Sequence, residues 1–207
     1  MKKYKCISYM SIVEWCEARV DRNNYIFSEY WNSISNIAFL LSMSSHHPPH
    51  VNMSITMVGI GSFIFHATET RIGQLFDELS MSILAYTYCI QVCPNAFPYS
   101  MYSCVFICVW ILYIHYQIYY MFVVFFLCQI MIPVYIICFQ VTKTEHQKKC
   151  LFKAILCVVA SVAFWIWERR LHYHNQCPTE LLDPRYYLHS YWHIGMAMAH
   201  HNFMNSI

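Results

Sequence analysis

Charge is scarce in this sequence. Asp, Glu, Lys and Arg make up 12% of the 207 residues, whereas soluble domains contain about 25%. The stretch 79–142 contains none of these four residue types. A soluble domain of this size would have to bury that whole stretch, but a membrane protein only has to cross the bilayer with it. The composition therefore predicts a polytopic membrane protein.

The sequence also lacks a signal-peptide pattern and a basic stripe, which narrows the class of protein. The polar segment 1–30 begins with a basic run but contains no long apolar stretch with a small-residue cleavage site, so no cleaved signal peptide is expected. The net charge is only +2 and no basic stripe is present, which argues against nucleic-acid binding. Nothing in the pattern points to an obligate protein partner.

Apolar stretches separated by turn residues predict seven transmembrane helices. The predicted spans cover about 31–45, 51–67, 75–92, 99–116, 118–141, 151–167 and the residues from 186 onward. The first two are short for the ~20 residues of a crossing, so six or eight helices are alternatives. We expect an all-α fold with one domain over 1–207, in which a seven-helix bundle over 31–207 follows the polar segment 1–30.

Two histidines in the last span are the starting point for function. His189 and His193 lie four residues apart in an aromatic, apolar run. In a helix they share one face, one turn apart, which suits two ligands of a single zinc ion. Polar groups inside a membrane call for an explanation, because a charged side chain there costs about 2.5–3.5 kcal/mol. The alternative for this pair alone is a wet aromatic interface.

Counting the crossings brings other polar residues to the same membrane face. Ser62 and His66 close the second span and share a helix face, and Asp77 opens the third span. With seven alternating helices, these residues fall at the N-terminal face together with His189 and His193. Unrelated core histidines would scatter over both faces. This convergence favours a metal site.

Five sequence blocks carry a resemblance to a known family. They are residues 14–17 (EWCE), 29–36 (EYWNSISN), 61–68 (GSFIFHAT), 74–79 (QLFDEL) and 188–193 (LHSYWH). In this order and spacing, the sequence resembles the alkaline ceramidase family. These are seven-helix membrane amidases of sphingolipid metabolism, which cleave ceramide to sphingosine and a fatty acid. Residues 90–185 resemble the family only in hydropathy.

The resemblance implies a role for each matching residue. His66, His189 and His193 would be the zinc ligands, with water in the fourth position. Zinc lowers the pKa of such a water to about 7. Asp77 would accept the proton of that water and pass it to the leaving nitrogen. Ser62 would donate a hydrogen bond to the developing oxyanion, a type of contact worth about 2.7–4 kcal/mol.

The resemblance also implies a calcium site near the N-terminus. The matching residues are three carboxylates and one backbone carbonyl donor: Glu14, Glu17, Glu29 and Trp15. Such oxygen ligands suit a hard cation. The sequence departs from the family at Arg19, which stands where the family has Asn. Either a nearby Asp or Asn completes the site, or Arg19 replaces the ion and pairs with a carboxylate.

The orientation in the membrane remains open between two indications. Nine of the thirteen Lys and Arg residues fall at the N-terminal face, and the positive-inside rule would place that face in the cytosol. The family resemblance implies a disulfide between Cys16 and Cys177, which would place the same face in an oxidising lumen. The resemblance favours the lumen, in an endomembrane such as the endoplasmic reticulum or Golgi.

Three other functions remain open at this point. One is a heptahelical zinc-containing receptor of the adiponectin-receptor type, and another is a catalytically inactive family member. The third is a metal transporter, for which His46, His47 and His50 on the opposite face would be an exit. The spans between the two faces, however, offer few ligands for a permeating ion.

Overall fold

The computed structural model describes residues 10–17, 27–92, 99–139 and 143–207. In these ranges the secondary structure is helical, apart from one isolated bridge between Met10 and Thr70. The α-helices are α1 (Tyr30–Ser35), α2 (Ile37–Leu41), α3 (Pro49–Thr68), α4 (Arg71–Val92), α5 (Tyr99–Tyr116), α6 (Tyr119–Phe139), α7 (Glu145–Tyr173) and α8 (Leu188–Met204). A 3₁₀ turn, Pro184–Tyr187, precedes α8.

The membrane character of the fold rests on three of these helices. Helices α3, α6 and α7 are long and apolar enough to cross a bilayer, and α5 contains a shorter apolar stretch. Large apolar side chains on these helices face outward, among them Val124, Phe139 and Val159. The all-helical prediction is therefore confirmed for the described residues, and the chain has the features of a membrane protein.

The first predicted span differs from the structure because it is interrupted. Helix α1 ends at Ser35 and α2 begins at Ile37. Between them, the amide of Asn36 donates to the backbone carbonyl of Asn32 at 2.8 Å. Side chains of this type compete with the backbone for hydrogen bonds and so interrupt regular helix. The predicted span 31–45 is thus two short helices.

The sixth predicted span, 151–167, is longer than expected at both ends. Helix α7 begins at Glu145 because Thr144 and Gln147 form a capping box. It continues to Tyr173 because the charged residue at the expected boundary, Glu168, is buried and accepts a hydrogen bond from the backbone N–H of Cys16 at 3.2 Å. The predicted polar loop 168–185 therefore begins as helix.

Two glycines allow helices to approach one another closely. A Cβ atom on Gly61 of α3 would lie 3.1 Å from the Cα atom of Asp77 on α4. A Cβ atom on Gly195 of α8 would lie 2.1 Å from the hydroxyl of Ser161 on α7. Small residues commonly permit such contacts between membrane helices. The glycine at 61 brings the end of α3 against the start of α4.

Residues 10–17, hereafter the N-terminal strap, are bonded to three parts of the bundle. The N–H of Ser11 donates to the carbonyl of Glu69 at 3.0 Å, and that of Ile12 donates to the side chain of Gln74 at 2.8 Å. At the other end of the strap, a disulfide joins Cys16 to Cys177, with a Cα–Cα distance of 5.2 Å. The strap therefore lies along the ends of α3, α4 and α7.

Candidate metal centre

Three histidines from two helices meet at one buried point. His66 is at the end of α3, and His189 and His193 occupy successive turns at the start of α8. Their ligating nitrogens all lie within 4.8 Å of one another. The Nε2 atoms of His66 and His189 are 3.2 Å apart. Two nitrogens bound to one tetrahedral zinc at its usual bond length lie about 3.3–3.4 Å apart. This set of donors therefore fits a tetrahedral metal ion.

Each of the three rings has a polar group close to Nδ1, which is hydrogen-bonded for His66 and His193 and is a near contact for His189. For His66 this group is the carboxylate of Glu29. For His193 it is the hydroxyl of Ser35, at 2.7 Å. Glu168 Oε2 lies 3.1 Å from Nδ1 of His189. Metal-ligating histidines nearly always have such a partner, which fixes the ring and directs the other nitrogen to the ion. The arrangement directs the three Nε2 atoms inward.

Ser62 and Asp77 lie beside the histidines. The hydroxyl of Ser62, one turn before His66 on α3, is 3.4 Å from Nε2 of His193. Asp77, on the first turns of α4, interacts with both His66 and Ser62. Its Oδ1 atom is buried and has no hydrogen-bond partner among the described residues. The site thus combines a possible metal centre with a hydroxyl donor and an acceptor carboxylate.

Trp15 covers one side of the centre. Its ring lies 3.8 Å from the ring of His189, measured between centroids. The guanidinium of Arg169 lies 5.1 Å from the centre of the indole ring, within the range of a cation–π interaction. Arg169 also donates to the backbone carbonyl of Glu14 at 2.7 Å. The strap therefore shields His189 from the surroundings.

The residues expected to bind calcium lie next to this centre. The carboxylate of Glu17 accepts from the N–H groups of Trp31 and Asn32, at 2.6 and 2.9 Å, and so caps helix α1. Glu29 contacts Asn32 and His66, whereas Glu14 is at the surface. Arg19 lies outside the described residues. The calcium site stays a prediction.

Burial changes the acidity of the two inner carboxylates. The pKa of Glu17 is raised to about 7, chiefly by burial and with a smaller contribution from the nearby Glu29, against the opposing effect of the two backbone N–H groups. Burial also raises the pKa of Glu29 well above its ordinary value. Two buried carboxylates of this kind are ionised readily only when a cation is close to them.

Sequence reasoning missed two residues of the site. Ser35 lies within the block 29–36, but the resemblance assigns it no function. Glu168 directly follows the predicted span 151–167. Glu168 could have been noticed because it is a carboxylate at the same predicted membrane face as the histidines. Its partner Cys16 is 152 residues away in the chain, however, and no local pattern predicts that contact.

A second group of histidines lies apart from the centre. The ring of His47 is 5.6 Å from that of His200 and 5.8 Å from that of His201, between centroids. His200 interacts through Nδ1 with the hydroxyl of Tyr88 at 2.7 Å. Among the described residues, only His66, His189 and His193 bring three ligating atoms close enough for one metal ion.

Comparisons with known proteins identify the family of this chain. The family model described as "Ceramidase" matches residues 8–207. This chain belongs to the ceramidase family. It is similar to mouse alkaline ceramidase 1, with 31% identity over 102 residues, which cover 42% of this chain and 37% of that protein. It is also similar to mouse alkaline ceramidase 3, with 29% identity over 106 residues, which cover 40% of this chain and 36% of that protein. The aligned part is thus little more than a third of either curated relative.

Proposed function

We propose that this ceramidase-family chain is a zinc-dependent amidase of the membrane, which hydrolyses ceramide to sphingosine and a free fatty acid. The observation that carries the proposal is the convergence of three buried histidines with Ser62 and Asp77 at one point. In the proposed topology, the single domain crosses the membrane seven times. The three long apolar helices and the outward-facing apolar side chains support this topology.

The residues of the site suit amide hydrolysis. His66, His189 and His193 would hold the zinc, which when bound supplies a strong water-derived nucleophile at neutral pH and polarises a carbonyl. Asp77 has a buried oxygen with no partner among the described residues, and this oxygen would accept a proton from the attacking water and return it to the leaving amine nitrogen. Ser62 would donate a hydrogen bond to the carbonyl oxygen as negative charge develops there. The C–N bond then breaks, and fatty acid and sphingosine leave.

A calcium ion is a second proposed component. The buried carboxylates of Glu17 and Glu29 support a cation beside them, and Glu14 and the carbonyl of Trp15 lie on the same strap.

The disulfide of the strap supports an oxidising compartment at this face, such as the lumen of the endoplasmic reticulum or Golgi.

The deciding experiment measures metal and hydrolysis on one detergent-purified sample. We expect about one zinc ion per chain and release of fatty acid from ceramide by the parent. The His193→Ala variant should lose most of the zinc and nearly all of the hydrolysis. His174→Ala, at an exposed position after α7, is the matched control and should behave like the parent. Calcium content is measured on the same samples.

The other outcomes identify different functions. Zinc without hydrolysis of any ceramide would favour the receptor-like or inactive alternative over the enzyme. A parent protein with no zinc would contradict the three-histidine centre. Zinc transport into sealed vesicles, abolished by His47→Ala, would favour the transporter.

A further inference from the structure

Glu168 is a buried carboxylate that the proposed reaction does not use. It lies on α7 with 1% of its surface exposed, in the part of the helix that follows the apolar stretch. A buried carboxylate is costly unless it is paired or hydrogen-bonded. One of its oxygens contacts a proposed zinc ligand, His189, and the other accepts a hydrogen bond from the strap that covers this ligand.

One oxygen of Glu168 faces a zinc ligand. Oε2 lies 3.1 Å from Nδ1 of His189. Both atoms are buried, and among the described residues neither forms a well-aligned hydrogen bond, so each is the nearest polar partner that the other has. A carboxylate in this position holds the ring so that the opposite nitrogen, Nε2, is directed to the metal. Nε2 of His189 is the atom that faces His66.

The other oxygen of Glu168 holds the strap. Oε1 accepts from the backbone N–H of Cys16 at 3.2 Å, and Cys16 is fixed by the disulfide to Cys177. The residue before it, Trp15, packs against the same histidine ring, with 3.8 Å between the ring centroids and a tilt of 33°. Glu168 and Trp15 thus both contact the ring of His189. Trp15 belongs to the strap, and Glu168 is hydrogen-bonded to it.

We propose that Glu168 is a positioning residue, which couples the disulfide-fixed strap to the orientation of His189 and thereby to metal affinity. This inference rests on the proposed zinc function. It adds a residue of α7 to a centre whose ligands all come from α3 and α8. Because the carboxylate touches the ring and not the reacting atoms, its removal should first weaken metal binding, and activity should fall as a consequence.

The test compares Glu168→Gln with the parent and with Glu145→Gln. Glutamine has nearly the same size and keeps one acceptor oxygen, so the fold should survive. Glu145, at the exposed start of the same helix, pairs only with Lys148 among the described residues and is the matched control. Zinc affinity is measured by competition with a chelator. The absorption bands of the Co²⁺-loaded proteins report the geometry of the ligands.

We expect Glu168→Gln to bind zinc about 10–100-fold more weakly, with shifted Co²⁺ bands. Glu145→Gln should match the parent in both measurements. A parent that binds zinc and a Glu168→Gln variant with the same affinity and the same bands would overturn the inference alone. A parent that binds neither zinc nor Co²⁺ would overturn the proposed function and this inference together.

Discussion

At the scale of single residues, the centre combines side chains with different tasks on the same short stretch of helix. Ser62 and His66 are one turn apart on α3, and the carboxylate of Glu29 contacts Nδ1 of His66. The hydroxyl of Ser62 interacts with Asp77 and lies 3.4 Å from Nε2 of His193, so it stands beside the proposed acceptor carboxylate. We therefore expect Ser62 to contribute to catalysis rather than to metal binding.

Replacement of Ser62 by alanine tests this division of tasks. Ser62→Ala should lower the rate of ceramide hydrolysis by about 10²–10³-fold, since one donor to a developing oxyanion is lost. Its zinc content should equal that of the parent. Ser54→Ala is a close control, because Ser54 is also buried on α3 but bonds only the carbonyl of His50 among the described residues. Loss of zinc in Ser62→Ala would show a structural role instead.

At the scale of the helices, the contact between α3 and α4 determines where Asp77 lies. The start of α4 reaches the proposed metal centre because Gly61 has no side chain to separate the two helices. One turn of α3 thus supplies the histidine and the serine, and the neighbouring helix supplies the acid. The distance between them depends on the backbone packing of these two helices.

Gly61→Ala should therefore impair catalysis more than stability. The added Cβ would lie 3.1 Å from the Cα atom of Asp77 and from the carbonyl oxygen of Phe76, so α4 must shift by a few tenths of an ångström. We expect about a tenfold loss of hydrolysis, because catalytic groups tolerate little displacement. Gly59→Ala is the control, since its Cβ would find ordinary contacts of 3.4–3.5 Å. Equal activity of the two variants would contradict this account.

The positions of the helices can be predicted from the sequence, but the contacts around the candidate metal centre can be predicted only in part. Apolar stretches long enough to cross a membrane predict helices, because only helices satisfy the backbone there without water. All the predicted spans contain helix among the described residues. The interruption at Asn36 and the extension of α7 were not predicted, because they depend on side-chain bonds to the backbone. Glu168 and Ser35 were missed because their partners are 152 and 158 residues away.

At the scale of the whole molecule, a single covalent link joins the strap to the segment after α7. The disulfide between Cys16 and Cys177 spans 161 residues of the chain. It closes the side of the molecule at which the three histidines meet. The strap is otherwise held, among the described residues, by hydrogen bonds to Glu69 at the end of α3, to α4 and to α7, so the disulfide should contribute strongly to its position.

Cys16→Ser should lower the stability of the purified protein by roughly 2–5 kcal/mol, which is the usual effect of removing a native disulfide. The measurement is thermal unfolding in detergent, with and without a reducing agent. Reduction should bring the parent down to the level of the variant and leave the variant unchanged. Cys104→Ser, which replaces an exposed free cysteine on α5, should unfold like the parent. A parent that is insensitive to reduction would contradict the role of the disulfide.

The separation of the two cysteines also has a consequence for the order of events during synthesis. A ribosome that has just made Cys16 must add a further 161 residues before its partner exists. His189 and His193 emerge later still. Until then, the strap lacks Cys177, its disulfide partner, and the ring of His189, against which Trp15 packs. The proposed metal centre can therefore form only after residue 193 has been translated, and a product that stops before residue 177 would lack both the disulfide and two of the three histidines.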